Sequence, residues 1–117
     1  MWLWKSLACL GFPDYEVSEI GQVRRKGIVI ATDYNNTGYL RNNLWKENIQ
    51  HHYLNHRLVA IVWVPNPLLK PIVNHDDRII HNNYWRNLRW MTYKENSRYR
   101  EEMKRLDREQ MKKETPF

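Results

Sequence analysis

Cysteine and long apolar runs are nearly absent from this chain. Cys9 is the one cysteine among 117 residues, so no disulfide framework can form and no structural zinc site can be built from thiolates. We therefore expect a fold that depends on packing alone, in a reducing compartment and thus in the cytoplasm. No apolar stretch approaches the ~20 residues that a transmembrane helix needs, and a membrane is not an expected partner.

The apolar start of the chain, residues 1–10, lacks the features of a secretory signal. Lys5 interrupts the run and no small-residue cleavage site follows, so we expect this segment to be part of the folded structure. The sequence shows no internal repeat and no low-complexity segment. Its length suits one small domain, or two mini-modules that share a modest core, without a large substrate pocket.

The charge of the chain is strongly positive. Nineteen Lys and Arg residues oppose thirteen Asp and Glu residues, which gives a formal net charge of +6 and an isoelectric point near 9.6. Such a charge favours phosphate-rich partners, although solubility alone also accounts for it. Six Trp and seven Tyr residues can form a dense core or pack against sugars and bases.

The hydrophobic pattern predicts an α+β fold. Residues 15–18 and 22–24 form a hairpin around a turn, residues 27–31 add a strand, and residues 39–44 pair with residues 50–54, which together predict one small N-terminal antiparallel sheet. Apolar residues at helical spacing then predict a short buried helix, with Asn55 as its N-cap and an end at residues 65–67.

The second half of the chain predicts a strand, a long loop, a strand and a helix. The first strand ends at Asn74 and His75, a polar loop runs to Asn87, residues 88–92 form the second strand, and a long helix begins at Tyr93. We expect Tyr99, Met103 and Leu106 on the helix face that packs on the core, and Asn96 with Arg100 on a different face.

This arrangement suits hydrolysis of a phosphodiester bond. His75 is a candidate general base, because an unperturbed imidazole is largely neutral at physiological pH. A hard divalent ion prefers oxygen ligands, which the amides of Asn74 and Asn96 can supply. Asn87 would hold the loop or orient His75 by a hydrogen bond.

Each of these residues also has a structural interpretation. Asn82, Asn83 and Asn87 are common types in turns, and a single histidine after an apolar strand is more often structural than catalytic. His51 and His52 are adjacent on a predicted strand and face opposite sides, so they are a poor ligand pair. We expect His56 and His81 to be structural or to face DNA.

Taken in order, these segments resemble the HNH, or His-Me finger, nucleases of the phage and intron-encoded homing-endonuclease branch. The resemblance covers residues 4 to about 100. It is carried by Val73-Asn74-His75-Asp76-Asp77, Asn82-Asn83, Asn87-Leu88-Arg89-Trp90 and Asn96. Residues 4–5 and 15–24 are similar to the small module that often precedes this domain. Residues 38–40, 56–60 and 65–67 match its connecting segments.

The resemblance implies a ββα-metal core with the general base at His75, the central N of the motif at Asn87, and one Mg²⁺ or Mn²⁺ held by Asn74 and Asn96. The expected organisation is a β-rich, DNA-contacting module (residues 1–54), the nuclease core (55–100) and a basic helical extension (101–117). Cleavage would leave a 5′-phosphate and a 3′-hydroxyl.

The chain departs from the family at two places. Some relatives carry Asp where this chain has Asn74, and a neutral amide binds a hard cation less strongly than a carboxylate. Residues 77–81 replace a glycine-containing turn, so the loop is expected to take another shape, with Arg78 toward phosphate.

The expected function is a metal-dependent endonuclease, phage-encoded and acting on double-stranded DNA in the host cytoplasm. The candidate DNA contacts are Arg24, Arg25, Lys26, Arg41, Lys46, Arg78, Arg89, Arg98 and Arg100. Nicking and double-strand cutting both stay open, and the latter calls for a homodimer or two events. The alternatives are a catalytically weak or inactive DNA-binding or regulatory protein with the nuclease fold, and RNA as the substrate.

Overall fold

The computed structural model describes the backbone of residues 1–114 and the side chains of residues 1–111. The N-terminal part contains β1 (Trp4–Leu7), β2 (Phe12–Ser18), β3 (Val23–Arg25), β4 (Ile28–Val29), β5 (Asp33–Tyr34), β6 (Leu40–Lys46) and β7 (Ile49–Leu54). The rest contains α1 (Asn55–Trp63), β8 (Ile72–His75), β9 (Leu88–Met91) and α2 (Tyr93–Glu114). Short 3₁₀ turns, Ala8–Leu10 and Trp85–Asn87, precede β2 and β9. The α+β class with antiparallel sheets is confirmed.

The N-terminal half forms two antiparallel sheets, so the prediction of one sheet was wrong. Strands β1 to β4 pair in sequence order in the first sheet, and β5 to β7 pair in the second. The predicted hairpin is present, with Val17 opposite Val23. Of the predicted strand, Ile28 and Val29 pair with β3, and the Ile30 N–H donates to the Val23 carbonyl at 2.9 Å. The chain then crosses to the other sheet before β5.

The core lies between the sheets, α1 and the β8–β9 hairpin. Its buried members are Leu7, Phe12, Tyr15, Val17, Val23, Leu44, Leu58, Val59, Ala60, Val73 and Leu88. Leu7 is fully buried at the end of β1, which confirms that the apolar start of the chain is part of the fold. Both halves of the chain therefore share one core, and α1 joins them.

Asn55 begins α1, but it is not the N-cap that the sequence predicts. Leu54 is the capping residue and makes no side-chain capping bond. The Asn55 side chain turns inward and donates to the Gly21 carbonyl and to Asn42 Oδ1, at 2.7 and 2.6 Å. Because the Asn55 side chain is bonded to these buried acceptors, it is not available to cap the N–H groups of α1.

The finger consists of β8, β9 and α2. The hairpin pairs Ile72 with Met91 and His75 with Leu88, and α2 packs against both strands. A reciprocal capping box starts α2, because Thr92 Oγ1 accepts from the Glu95 N–H while Glu95 Oε1 accepts from the Thr92 N–H. This box fixes the start of α2 next to the hairpin.

The extension of α2 is not basic, contrary to the prediction. Residues 101–114 hold five cations (Lys104, Arg105, Arg108, Lys112, Lys113) and five carboxylates (Glu101, Glu102, Asp107, Glu109, Glu114), so their charges cancel. Arg105 forms ion pairs with Glu102 and Glu109. Residues 115–117 of the predicted extension lie outside the described residues. Within the described part of the chain, neither helix is long and apolar enough to cross a membrane.

Candidate active-site cleft

A cleft of ≈ 470 Å³ lies between α2 and the β8 strand. Strand β8 contributes Asn74 and His75, and α2 contributes Asn96 and Arg100. Arg78, from the loop after β8, borders the same space. The structure therefore brings together the candidate base, both candidate metal ligands and two of the candidate phosphate contacts.

His75 ends β8 and is 5% exposed. Its Nε2 atom lies 2.7 Å from Asn83 Oδ1, so Asn83, and not Asn87, orients the ring. The His56 ring lies 5.0 Å from the His75 ring, and the Tyr39 ring lies 6.2 Å from it. The imidazole is thus held on one edge by an amide and flanked by two further rings.

His56 is structural, one of the two roles expected for it. It is 7% exposed at the start of α1. Burial first, and then the neighbouring His75 and Arg57, lower its pKa to about 4. His56 is therefore neutral at physiological pH and adds no positive charge beside His75.

Asn74 and Asn96 both line the cleft. Asn74 Nδ2 donates to Asp76 Oδ1 at 3.2 Å, so Asn74 Oδ1 is the atom left for another ligand. The Asn96 side chain is half-buried and makes no hydrogen bond with any described residue. Oxygen donors of this kind fit a hard divalent ion. Across the described residues, no trio of His, Cys, Asp or Glu side chains is placed to hold a metal.

Asn87 holds the loop together and does not contact His75. Its Oδ1 accepts from the Asp77 N–H at 3.0 Å, and its Nδ2 donates to Asp77 Oδ1 and to the Asn82 carbonyl. Hydrogen bonds from Asn82, Ile79 and Asn87 lower the Asp77 pKa. Of the two roles expected for Asn87, the structure therefore favours loop support.

The loop after Asp77 turns without a glycine. Arg78 has a φ of 61°, and its N–H donates to the His75 carbonyl at 2.9 Å. The Arg78 side chain forms an ion pair with Asp107 on α2 at 2.9 Å. An arginine in the left-handed conformation thus performs the turn for which relatives were expected to use glycine.

The predicted separation of the two α2 faces was wrong. Tyr99 and Met103 line the same cleft as Asn96 and Arg100, and the Tyr99 hydroxyl donates to the Asp76 carbonyl at 2.9 Å. Leu106 is 42% exposed and does not line the cleft. Tyr99 and Met103 therefore form part of the cleft wall, and Tyr99 also anchors the loop after β8.

The remaining candidate DNA contacts lie outside the cleft. Arg24, Arg41 and Arg89 are paired with Glu16, Asp33 and Asp76. Arg25 and Lys46 border a shared surface depression near Trp45, while Lys26 is exposed in the β3–β4 turn. Arg98 lies on α2 beside Glu101 and Glu102, away from Asn96. One set of candidate cations therefore lies in the cleft, and the others lie on the N-terminal sheets, β9 and α2.

Sequence reasoning missed the functional placement of Asn83, Asn55 and Tyr99. Asn83 was expected to be a turn former, yet it is 2% exposed and contacts His75. Its position next to Asn82, which does bond within the loop, gives no local sign of the difference. Burial of polar residues against a distant partner leaves no periodic pattern in a sequence.

No protein-family model matches the chain. Two curated proteins do, both described as uncharacterized HNH endonucleases of Acanthamoeba polyphaga mimivirus. They are 36% and 35% identical to this chain over 98 residues, which cover 82% and 80% of it. The chain spans 29% and 25% of the length of these relatives. A bacteriophage origin stays a prediction.

A solved structure of the HNH homing endonuclease I-HmuI has the same fold. Its description is "DNA binding and cleavage by the HNH homing endonuclease I-HmuI". Its TM-score with this chain is 0.79 at 31% identity, and the match covers 86% of this chain and 59% of that one. The fold and the cleft thus define a ββα finger of the HNH class. In sequence and fold the chain is thus similar to HNH homing endonucleases, as the resemblance implied.

Proposed function

We propose that this protein is a metal-dependent DNA endonuclease and that His75 is its general base. One observation carries the proposal: the cleft between β8 and α2 is lined by one histidine, two asparagines and two arginines, namely His75, Asn74, Asn96, Arg78 and Arg100. These are the groups that phosphodiester hydrolysis requires, namely a proton acceptor, ligands for a hard ion and cations for phosphate. The relatives named as HNH endonucleases, and the solved structure described as DNA binding and cleavage by I-HmuI, support the same choice.

The cleft residues have different roles in the proposed hydrolysis. His75 accepts a proton from water, whose oxygen attacks phosphorus, and the bond from phosphorus to the 3′ oxygen breaks while that oxygen takes a proton from a solvent water molecule. The products are a 5′-phosphate and a 3′-hydroxyl. Arg100 makes no ion pair with any described residue and would bind a phosphate directly, whereas Arg78 would first exchange its contact with Asp107.

Asn74 and Asn96 are the proposed ligands of one Mg²⁺ or Mn²⁺ ion. When bound, such an ion supplies positive charge to the non-bridging phosphate oxygen and to the departing 3′ oxygen. Two neutral amides hold a hard ion weakly, so phosphate and water would complete its ligand set. We therefore expect a millimolar requirement for metal.

Double-stranded DNA is the proposed substrate, and the cytoplasm is the proposed setting. One finger contains one cleft, so a single protein would cut one strand per encounter, and double-strand cutting would use two copies. Arg25, Lys26 and Lys46, without ion pairs among the described residues, are proposed to bind the DNA backbone beyond the cleft. Replacing any one of these residues should lower the affinity for DNA to a similar extent at all DNA sequences.

A weak or inactive DNA-binding protein is the second candidate. It is favoured by the neutral ligand at Asn74, where a carboxylate would bind metal more strongly. Supercoiled plasmid incubated with and without Mg²⁺ or Mn²⁺ separates the two candidates. Metal-dependent nicking supports the nuclease, whereas a gel shift without nicking at any metal concentration supports the second candidate.

A further inference from the structure

Four buried polar side chains connect the N-terminal sheets to the candidate base. Asn42 on β6 is fully buried, and Asn55, Asn83 and His75 are each at most 5% exposed. Asn55 Nδ2 donates to Asn42 Oδ1 at 2.6 Å, Asn83 Nδ2 donates to Asn55 Oδ1 at 2.7 Å, and His75 Nε2 lies 2.7 Å from Asn83 Oδ1. We call Asn55, Asn83 and His75 the amide relay, and Asn42 lies beside it as a second acceptor for Asn55.

The direction of the amide relay is fixed by the Gly21 carbonyl. A carbonyl oxygen can only accept, so the Asn55 atom that lies 2.7 Å from Gly21 O must be the amide nitrogen. Asn55 Oδ1 then faces Asn83, whose nitrogen must point toward it. Asn83 consequently presents its oxygen to His75, and only a protonated Nε2 can bond to that oxygen.

A second backbone carbonyl supports the same direction. Asn42 Nδ2 donates to the Ala31 carbonyl at 3.3 Å and to Thr32 Oγ1 at 3.1 Å. Asn42 therefore presents its oxygen to Asn55, in agreement with the polarity set at Gly21. A flip of any one amide would place two oxygens or two nitrogens against each other in a buried site, which is unfavourable.

We propose that Asn55 and Asn83 are positioning residues that hold His75 as its Nε2–H tautomer, so that Nδ1 is the atom that accepts the proton from water. Assignment of the tautomer does not depend on activity. The role of Nδ1 rests on the proposed function. The Nε2–H bond to Asn83 is retained when Nδ1 takes up a proton, because both nitrogens of an imidazolium donate.

The amide relay makes the β2–β3 turn part of the active site. Gly21 lies in this turn with a φ of +94°, and a Cβ atom there would lie 2.3 Å from Asn55 Oδ1. A residue before α1 thus determines which ring nitrogen of His75, in the finger, carries the proton. The N-terminal module is expected to act on catalysis as well as on DNA binding.

Long-range ¹H–¹⁵N NMR of the histidine rings tests the tautomer directly. We would record it on the whole protein without DNA or metal, at a pH where His75 is neutral. The expected spectrum shows His75 with a protonated Nε2, an unprotonated Nδ1 and a slowly exchanging Nε2 proton. An Nδ1–H tautomer in the wild-type protein would overturn the proposal, whatever the variants do.

Asn83→Ala and Asn55→Ala are expected to lose the protected Nε2 proton. Asn42→Ala is the matched control, because Asn55 remains anchored on the Gly21 carbonyl when Asn42 is removed. It removes an equally buried amide, yet it should keep the tautomer. If Asn42→Ala and Asn55→Ala change the His75 signals alike, the amides only fill space and the proposal is wrong.

Cleavage kinetics provide the second measurement. Asn83→Ala is expected to lower kcat at least tenfold with little change in KM for DNA, since it changes the base and not the DNA contacts. An unchanged kcat would contradict the role of Asn83. If the wild-type protein shows the Nε2–H tautomer but never cleaves DNA, the proposed function fails and the tautomer assignment stands.

Discussion

The Asn74 amide donates to the Asp76 carboxylate over 3.2 Å at the mouth of the cleft. Asp76 also lies 3.2 Å from Arg89, so its charge is already partly balanced. This contact orients Asn74 in the absence of any metal. It also means that a carboxylate at position 74 would face a second carboxylate.

Asn74→Asp is predicted to bind divalent metal more tightly, by about tenfold, because a carboxylate is a stronger ligand for a hard ion than an amide. Without metal, the variant should melt below the wild-type protein, since residues 74 and 76 would then repel each other. Thermal melting across a Mg²⁺ titration measures both effects. Asn48→Asp, in the exposed β6–β7 turn, adds the same charge away from the cleft and should not respond to metal.

Arg78→Gly is predicted to melt higher than Arg78→Ala. Both variants lose the ion pair with Asp107, but alanine retains the side-chain penalty of a positive φ and glycine does not. We expect a difference of roughly 3–5 °C between the two melting temperatures. Equal melting temperatures would show that the backbone at position 78 is not held in the left-handed conformation.

DNA binding by these two variants tests a different point. If Arg78 contacts phosphate, both variants should bind DNA more weakly to the same extent, because both lack the cation. A gel shift against one duplex measures this. Weaker binding in only one of them would assign the effect to the shape of the loop.

Gly21→Ala is predicted to destabilise the protein by about 1 kcal/mol or more beyond Gly27→Ala. Both glycines have a positive φ, +94° and +82°, so both variants share the backbone penalty. A Cβ at Gly27 meets nothing within 4 Å, whereas one at Gly21 overlaps Asn55. Urea unfolding measures the difference, and equal free energies of unfolding would contradict close packing of the turn on the amide relay.

Glu95→Gln is predicted to alter stability in a pH-dependent way. Contacts with Lys70 first, and then with the Thr92 backbone, lower the Glu95 pKa from 4.5 to about 2. A lowered pKa in the folded state stabilises the protein above the unfolded value of 4.5, and this contribution is lost as the pH falls toward 2. The variant should therefore be less stable than the wild type at neutral pH and equally stable near pH 2. A difference that stays constant over this range would contradict the ion pair with Lys70.

Periodic and local features of the fold could be predicted from the sequence. The β8–β9 hairpin and the start of α2 at Tyr93 follow from short apolar runs, turn residues and an uninterrupted helical stretch. The split of the N-terminal strands into two sheets could not be predicted, because strand pairing depends on the path of the chain and not on the pattern within each strand.

The candidate site likewise contains residues that could be predicted from the sequence and residues that could not. Asn74, His75 and Asn96 follow from their order and spacing, and the structure brings all three to one cleft. Asn83 and Asn55 lie 28 residues apart in sequence and meet only because α1 packs beside the finger loop. No local signal separates a buried relay asparagine from the neighbouring Asn82, which bonds to Asp77 within the loop.

Nicking of supercoiled plasmid by the wild-type protein, His75→Ala and His52→Ala tests the central claim most directly. His52 is exposed on β7 and outside the cleft, so its variant controls for loss of an imidazole. With Mg²⁺ or Mn²⁺ supplied, we predict that His75→Ala slows nicking by roughly 10²–10⁴-fold while its gel shift is unchanged, and that His52→Ala nicks like the wild type. Full nicking by His75→Ala would contradict the assignment of His75 as the base.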